Sequence, residues 1–136
     1  MEKLEHIGIA VKDLKEANKL FAHLLGTEHY KIEEVQSEGV RTSFFNIGGV
    51  KIELLEATGE NSPIARFIDK KGEGIHHLAF EVRDINESLK KYADLGFEVI
   101  GQEPKKGADD KMIFFLHPKS TNGVLIELCE EIKSEI

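Results

Sequence analysis

The 136-residue sequence predicts an α+β fold of two tandem βαβββ modules related by a pseudo-twofold axis, with strands forming a curved sheet around a cleft. Three observations predict it. The stretch EHIGIAVKDL (Glu5 to Leu14) returns inside GIHHLAFEVRDI (Gly74 to Ile85): His6, Val11, Asp13 and Leu14 match His77, Val82, Asp84 and Ile85, each pair 71 residues apart. The match continues in Gly26 with Gly96, Phe44-Phe45 with Phe114-Phe115, and GVKIEL (Gly49 to Leu54) with GVLIEL (Gly123 to Leu128), which sets Glu53 against Glu127. The apolar period also changes between two and 3.6 at corresponding places in both copies. Self-similarity of this length marks two copies of one folding unit. Module one spans about residues 4–56, a connector about 57–75 and module two about 76–130, within a single domain of residues 1–136.

Residues 4–11 alternate, with Ile7, Ile9 and Val11 to one side and His6, Gly8 and Ala10 to the other, which reads as a strand. Asp13 stands at a cap position with Glu16 three residues on, and Leu14, Ala17, Leu20, Phe21, Leu24 and Leu25 follow at helical spacing up to Gly26. Residues 29–36 form a weaker strand, SEG a turn, VRTSFFNI a third strand, and Gly48-Gly49 a hairpin into VKIELLE. In the connector, Ser62-Pro63 caps and opens a short helix that KKGEG closes. The second copy repeats the plan: HHLAFEV a strand, a helix capped by Asp84 and stopped by Gly96, FEVIGQ a strand, EPKKGADD a loop, then KMIFFLH and GVLIELCE as strands. The tail IKSEI is expected to fray.

Composition narrows the function. Hydrophobic content of 40% and charged content of 32% describe an ordinary soluble protein, and no apolar run reaches the roughly 20 residues of a membrane span. With no signal-peptide pattern at the N-terminus, the expected location is the cytoplasm. The single Cys129 excludes an intrachain disulfide framework and a cysteine-based zinc site. Eighteen Lys and Arg against 25 Asp and Glu leave a formal net charge of −7, which argues against nucleic acid as partner. Lys105, Lys106, Lys111 and Lys119 nevertheless cluster in the second copy. They read either as a solvated surface or as a seat for an anionic ligand.

Strand parity gives the candidate site. If Ile7, Ile9 and Val11 (or Leu78, Phe80 and Val82) pack on the helix, His6 and His77 face away from it. Ile52 and Leu54 (or Ile126 and Leu128) likewise turn Glu53 and Glu127 to the side of the histidines. Gly8, Ala10 and Ala79 keep that surface lined by small side chains, as a cavity needs. One histidine or glutamate alone on a strand is ordinarily structural or solvated. Two of each, in matching places, converge if the copies pack by a pseudo-twofold rotation. Such a set suits one divalent metal with open positions for substrate, and these ligand types admit Co, Mn, Ni, Zn or Mg. His23, His29, His76 and His117 lack this support and are taken as structural or solvated.

The paired modules, with His on the first strand and Glu on the fourth, resemble the vicinal oxygen chelate superfamily, which includes glyoxalase I, extradiol dioxygenases and antibiotic-resistance binding proteins. HIGIAVKDL, KIELLE, NSPIARFI, GIHHLAFEV and FLHPKSTNGVLIEL look closest to its methylmalonyl-CoA epimerase family over almost the whole chain. The resemblance implies metal ligands at His6, Glu53, His77 and Glu127, an acyl-CoA substrate, and a homodimer. The chemistry it implies is removal and return of the proton on C2 of methylmalonyl-CoA through a metal-stabilised enolate. Glu127 is then ligand and base, and Glu53 ligand and candidate second base. One departure is Thr42, where some members carry a glutamate three residues after the glycine matching Gly39. The adenosine phosphates of CoA are expected near Lys105, Lys106 and Lys119. Two alternatives share the fold: a glyoxalase-I-type lyase acting on a glutathione hemithioacetal, and a non-catalytic binding or resistance protein.

Overall fold

The computed structural model describes residues 1–132. Residues 6–76 make one compact unit, and residues 1–5 with the chain from His77 onward make the other. The fold is α+β, two βαβββ modules as the repeat predicts.

In the first unit β1 (Lys3–Ala10), α1 (Leu14–Leu25), β2 (Lys31–Val35), β3 (Val40–Ile47) and β4 (Val50–Ala57) precede α2 (Pro63–Lys71), and the strands lie in the order β2-β3-β4-β1. Only the β1–β4 pair is parallel, because α1 carries the chain back across the sheet. Asp13 starts α1 by accepting from the Glu16 N–H at 3.1 Å. The Leu14 N–H donates to Glu56 Oε2 of β4 at 2.8 Å. Two of the helix's orphan amides thus meet carboxylates, where the helix dipole favours negative charge. Gly26, with φ of 72°, ends the helix. Leu14, Ala17, Phe21 and Leu25 pack on Val11, Phe45, Leu54 and Ile52. Leu20 and Leu24, which the spacing groups with them, are 65% and 70% exposed. Each precedes a packed residue by one position, about 100° round the helix, so neither reaches the sheet.

On the opposite face α2 covers one end of the same sheet. Ser62 Oγ accepts from the Ile64 and Ala65 amides at 3.1 and 3.2 Å, and Pro63 needs no partner for its missing N–H. Ile64, Phe67 and Ile68 of α2 close over Ala10, Val40 and Leu55. The small-residue face is therefore filled at its Ala10 end, and His6 lies toward the other end of β1. Gly48-Gly49 forms the two-residue hairpin between β3 and β4, with Ile47 opposite Val50. Gly39 matters most for α2: it has φ of 63°, and a Cβ there would sit 2.9 Å from Ser62 Cβ. Gly39→Ala is expected to destabilise the protein by about 1–3 kcal/mol through strain plus overpacking against the cap, measured by urea unfolding.

The second unit holds β5 (Gly74–Glu81), α3 (Ile85–Asp94), β6 (Val99–Lys106), β7 (Lys111–Leu116) and β8 (Ile126–Glu131), in the order β5-β8-β7-β6 with β5–β8 parallel. Residues 1–5 join it beside β5, where the Glu2 N–H donates to the Glu81 carbonyl at 2.8 Å. The helix start is copied from the first unit: Asp84 accepts from the Glu87 N–H at 3.0 Å, and the Ile85 N–H donates to Glu130 Oε1 at 2.7 Å. Val82, Ile85, Phe114, Leu116 and Leu128 form the core, with Phe80, Leu89, Tyr92 and Phe97 against them.

The expected loop EPKKGADD is mostly strand. β6 runs to Lys106, its pairing with β7 shifts register between Ile100 and Lys105, and the reversal is confined to a tight turn at Asp109 and Asp110, both at positive φ. As an edge strand, β6 tolerates the proline and lysines that otherwise signal a loop. Most of the expected frayed tail lies outside the described residues. Among the described residues, no helix is long and apolar enough to cross a membrane.

Candidate metal and acid–base site

In the first unit the parallel β1–β4 pairing sets Gly8 opposite Glu53, two residues along from His6. His6 Nδ1 lies 3.1 Å from Glu53 Oε2, and the two residues are 5% and 4% exposed. The Leu14–Glu56 bond ties β4 to the start of α1, and Glu56 lies three residues beyond Glu53, on the opposite face of the strand. Phe44 pairs with Glu53 and Thr42 with Leu55 across β3–β4, so a buried Phe44 and a buried Thr42 flank the carboxylate on its own face.

The second unit repeats this with β5 and β8. Ala79 pairs with Glu127, Phe115 of β7 flanks Glu127 from the other side, and His77 Nε2 lies 3.4 Å from Glu127 Oε1. The His77 ring meets the Phe115 ring edge-on, with centroids 6.0 Å apart, which fixes its plane. Each unit therefore brings together the His and Glu that parity assigned to it.

A carboxylate buried to this degree is costly unless opposite charge or hydrogen bonds compensate it. Imidazole nitrogen and carboxylate oxygen held close together make a donor set that fits a divalent cation of borderline or hard character. The same atoms can hold or move a proton, since both groups are acid–base competent.

Two neighbours escaped the sequence reading. Glu5, one residue before His6, is 2% exposed; the repeat does not preserve it, since its counterpart is His76. Cys129 is fully buried on the Glu127 side of β8, and burial pushes its thiol far above the ordinary range, with Glu127 and Glu5 adding to the shift and Lys111 opposing it. It is a protonated, unreactive thiol at neutral pH.

The lysines do not form the expected cluster. Lys111 is 6% exposed, on the face of β7 shared with Ile113 and Phe115, and belongs to no surface patch. Lys105 and Lys106 sit at one end of the β6–β7 hairpin, whereas Lys119 follows β7 at the other end, beyond a strand of roughly 20 Å. Consecutive strand residues also face oppositely, so Lys105 and Lys106 diverge. Lys105 reaches over the Phe115 ring, 6.0 Å from its centroid, on the His77 side. Of the remaining histidines, His76 packs edge-on against Phe67 of α2, His117 Nδ1 accepts from the Lys119 N–H at 3.0 Å, and His23 is exposed.

Residues 5–115 match the model of the glyoxalase/bleomycin resistance protein/dioxygenase superfamily. The chain belongs to that superfamily. Within it, the uncharacterised protein YqjC of Bacillus subtilis (strain 168) is 42% identical over 130 residues, covering 96% of this chain and 93% of the relative. An ethylmalonyl-CoA/methylmalonyl-CoA epimerase of Cereibacter sphaeroides is 42% identical over 128 residues, covering 93% and 96%. A variant of Streptomyces coelicolor methylmalonyl-CoA epimerase, solved in complex with 2-nitronate-propionyl-CoA, superposes with a TM-score of 0.93 at 34% identity, covering 98% of this chain and 99% of that one. The agreement in fold extends along almost the full length of the chain.

Proposed function

We propose that the protein epimerises methylmalonyl-CoA at C2 with a divalent metal, for which each unit offers a His–Glu pair, His6 with Glu53 and His77 with Glu127. The observation that carries this reading is the buried His–Glu pair repeated on matching strands of the two units, at 3.1 and 3.4 Å. The epimerase relatives supply the substrate class. A divalent ion in such a ligand set supplies positive charge against which negative charge can build when a proton leaves the carbon next to a carbonyl.

The chain's own groups move the proton. Glu127 takes it from C2 on one face, and Glu53 serves the other face, so return from the opposite side inverts the centre. Phe115 and Phe44 beside these carboxylates keep water from the exchanging proton. The same reading makes the protein a cytoplasmic homodimer.

Of the expected phosphate contacts Lys105, Lys106 and Lys119, Lys105 has the most support, since its ammonium lies over the Phe115 ring on the His77 side. Lys105→Glu is expected to raise KM for the CoA ester roughly fivefold at low ionic strength while kcat holds, and the effect should fade with added salt. Lys106→Glu and Lys119→Glu should be milder. Equal KM in wild type and Lys105→Glu moves the phosphates elsewhere.

The activity itself is tested by offering two substrates to protein loaded with each candidate metal. Interconversion of the methylmalonyl-CoA epimers supports the reading. Turnover of a glutathione hemithioacetal alone replaces it with the glyoxalase-type lyase, and turnover of neither leaves the binding-protein alternative.

A further inference from the structure

β7 carries a buried lysine that the metal and acid–base site does not use. Lys111, Ile113 and Phe115 share one face of β7, and across the ladder they pair with Glu131, Cys129 and Glu127 of β8. Lys111 therefore stands on the same face of the second unit as the carboxylate of Glu127. Its backbone is fixed on both sides: the Gly107 N–H donates to the Lys111 carbonyl at 2.8 Å, and the Ile132 N–H to the Asp110 carbonyl at 2.9 Å.

The side chain does not take the partner nearest to it. Glu131 lies directly opposite and is exposed, yet Lys111 makes no ion pair with it and is only 6% exposed. It leans inward instead, close enough for its charge to act on the Cys129 thiol. Among the described residues the ammonium has no hydrogen-bond or ion-pair partner. The sealed atoms left without partners are Asn18 Oδ1, His29 Nδ1 and Ser43 Oγ; Lys111 Nζ is not among them, so the ammonium keeps an opening to solvent. An unpaired cation in so narrow an opening is costly, and an anion that fits the opening removes the cost.

The surroundings select the anion. Ile113 and Cys129, both buried, lie between Lys111 and Glu127, and the thiol is neutral, so the floor is apolar. Lys111 is four residues from Phe115, the partner of Glu127, which is roughly 13 Å along the strand. The two long side chains narrow that span from both ends to the scale of a small acyl group. Glu127, Glu5 and Glu81 act on the same thiol with the opposite sign, so an anion entering here is held at the Lys111 end. We propose that Lys111 binds the free carboxylate of the acyl-CoA substrate, which orients C2 toward Glu127; this rests on the epimerase reading above. The ammonium donates to the carboxylate oxygens, and the alkyl group on C2 rests on Ile113 and Cys129.

The test compares racemic methylmalonyl-CoA with propionyl-CoA, the same thioester without the carboxylate, by isothermal titration calorimetry. Metal-loaded wild type, Lys111→Met and Lys111→Gln are titrated at matched metal content. Both variants are expected to bind methylmalonyl-CoA about tenfold more weakly, the lower end for a hydrogen bond to a charged group, and propionyl-CoA as wild type does. Without acyl-CoA their melting temperatures should equal or exceed that of wild type, because an unpaired buried charge is removed. Equal loss for both esters, or no loss for either, overturns the proposal and leaves the epimerase reading standing. A lower melting temperature in both variants assigns Lys111 to offsetting Glu5, Glu81 and Glu127, and overturns the proposal as well. A wild type that binds neither ester overturns the epimerase reading itself, and the proposal with it.

Discussion

Glu127→Gln is expected to lower methylmalonyl-CoA epimerisation by at least about 100-fold, and Glu53→Gln by a similar factor, the lower end of what a positioned acid or base contributes. Glutamine keeps the size of the side chain and one of its oxygens but cannot take a proton from carbon. Inversion at a single centre is served best by one group on each face of the substrate, so loss of either stops the cycle. Both residues sit in equivalent settings, buried beside a histidine and flanked by a phenylalanine on the next strand. Thr42, although only 1% exposed and on the same face as Glu53, carries a neutral hydroxyl. Thr42→Val should therefore cost little. Metal content must be measured in each variant, because a lost ligand mimics a lost base. If Thr42→Val is as damaging as Glu127→Gln with metal still bound, the glutamate pair is not the acid–base pair.

The second large effect is on metal binding. His6→Ala and His77→Ala are each expected to weaken affinity for a divalent ion by at least about 100-fold, read from the metal retained after dialysis against a graded chelator. Neither histidine belongs to an apolar cluster, so the fold should survive, as far-UV circular dichroism would show. Each substitution does strip a buried carboxylate of its neighbour, which adds a destabilisation on the order of 1–3 kcal/mol in the metal-free protein. Full metal occupancy in the doubly substituted chain would remove these residues from the ligand set.

Much of this was legible in the sequence because strand parity is strict. Once Ile52 and Leu54 are assigned to the helix side, Glu53 has only one other face to occupy, and the same holds for Glu127 between Ile126 and Leu128. Capping is equally local: Asp13 and Asp84 stand where their own next three residues reveal the helix start. What escaped depends on contacts distant in the chain. Glu56 and Glu130 reach helix amides 42 and 45 residues away, and nothing near them in sequence says so. The lysine cluster dissolved because sequence neighbourhood ignores the length of a hairpin, which carries Lys119 to the end opposite Lys105. The first part of β6 was legible in FEVIGQ, but its second half was hidden because Pro104, Lys105 and Lys106 describe an edge strand as well as a loop.

The central claim is that the buried glutamates exchange the proton on C2. Its most direct test is to incubate one epimer of methylmalonyl-CoA in D2O with metal-loaded protein and follow the C2–H and methyl proton signals. The account predicts that deuterium enters C2 as the epimers interconvert, collapsing the methyl doublet to a singlet, and that Glu127→Gln abolishes both changes together when the starting epimer is the one whose C2 proton faces Glu127. Retention of the C2 proton at the rate seen without protein, in a chain shown to hold its metal, would contradict it.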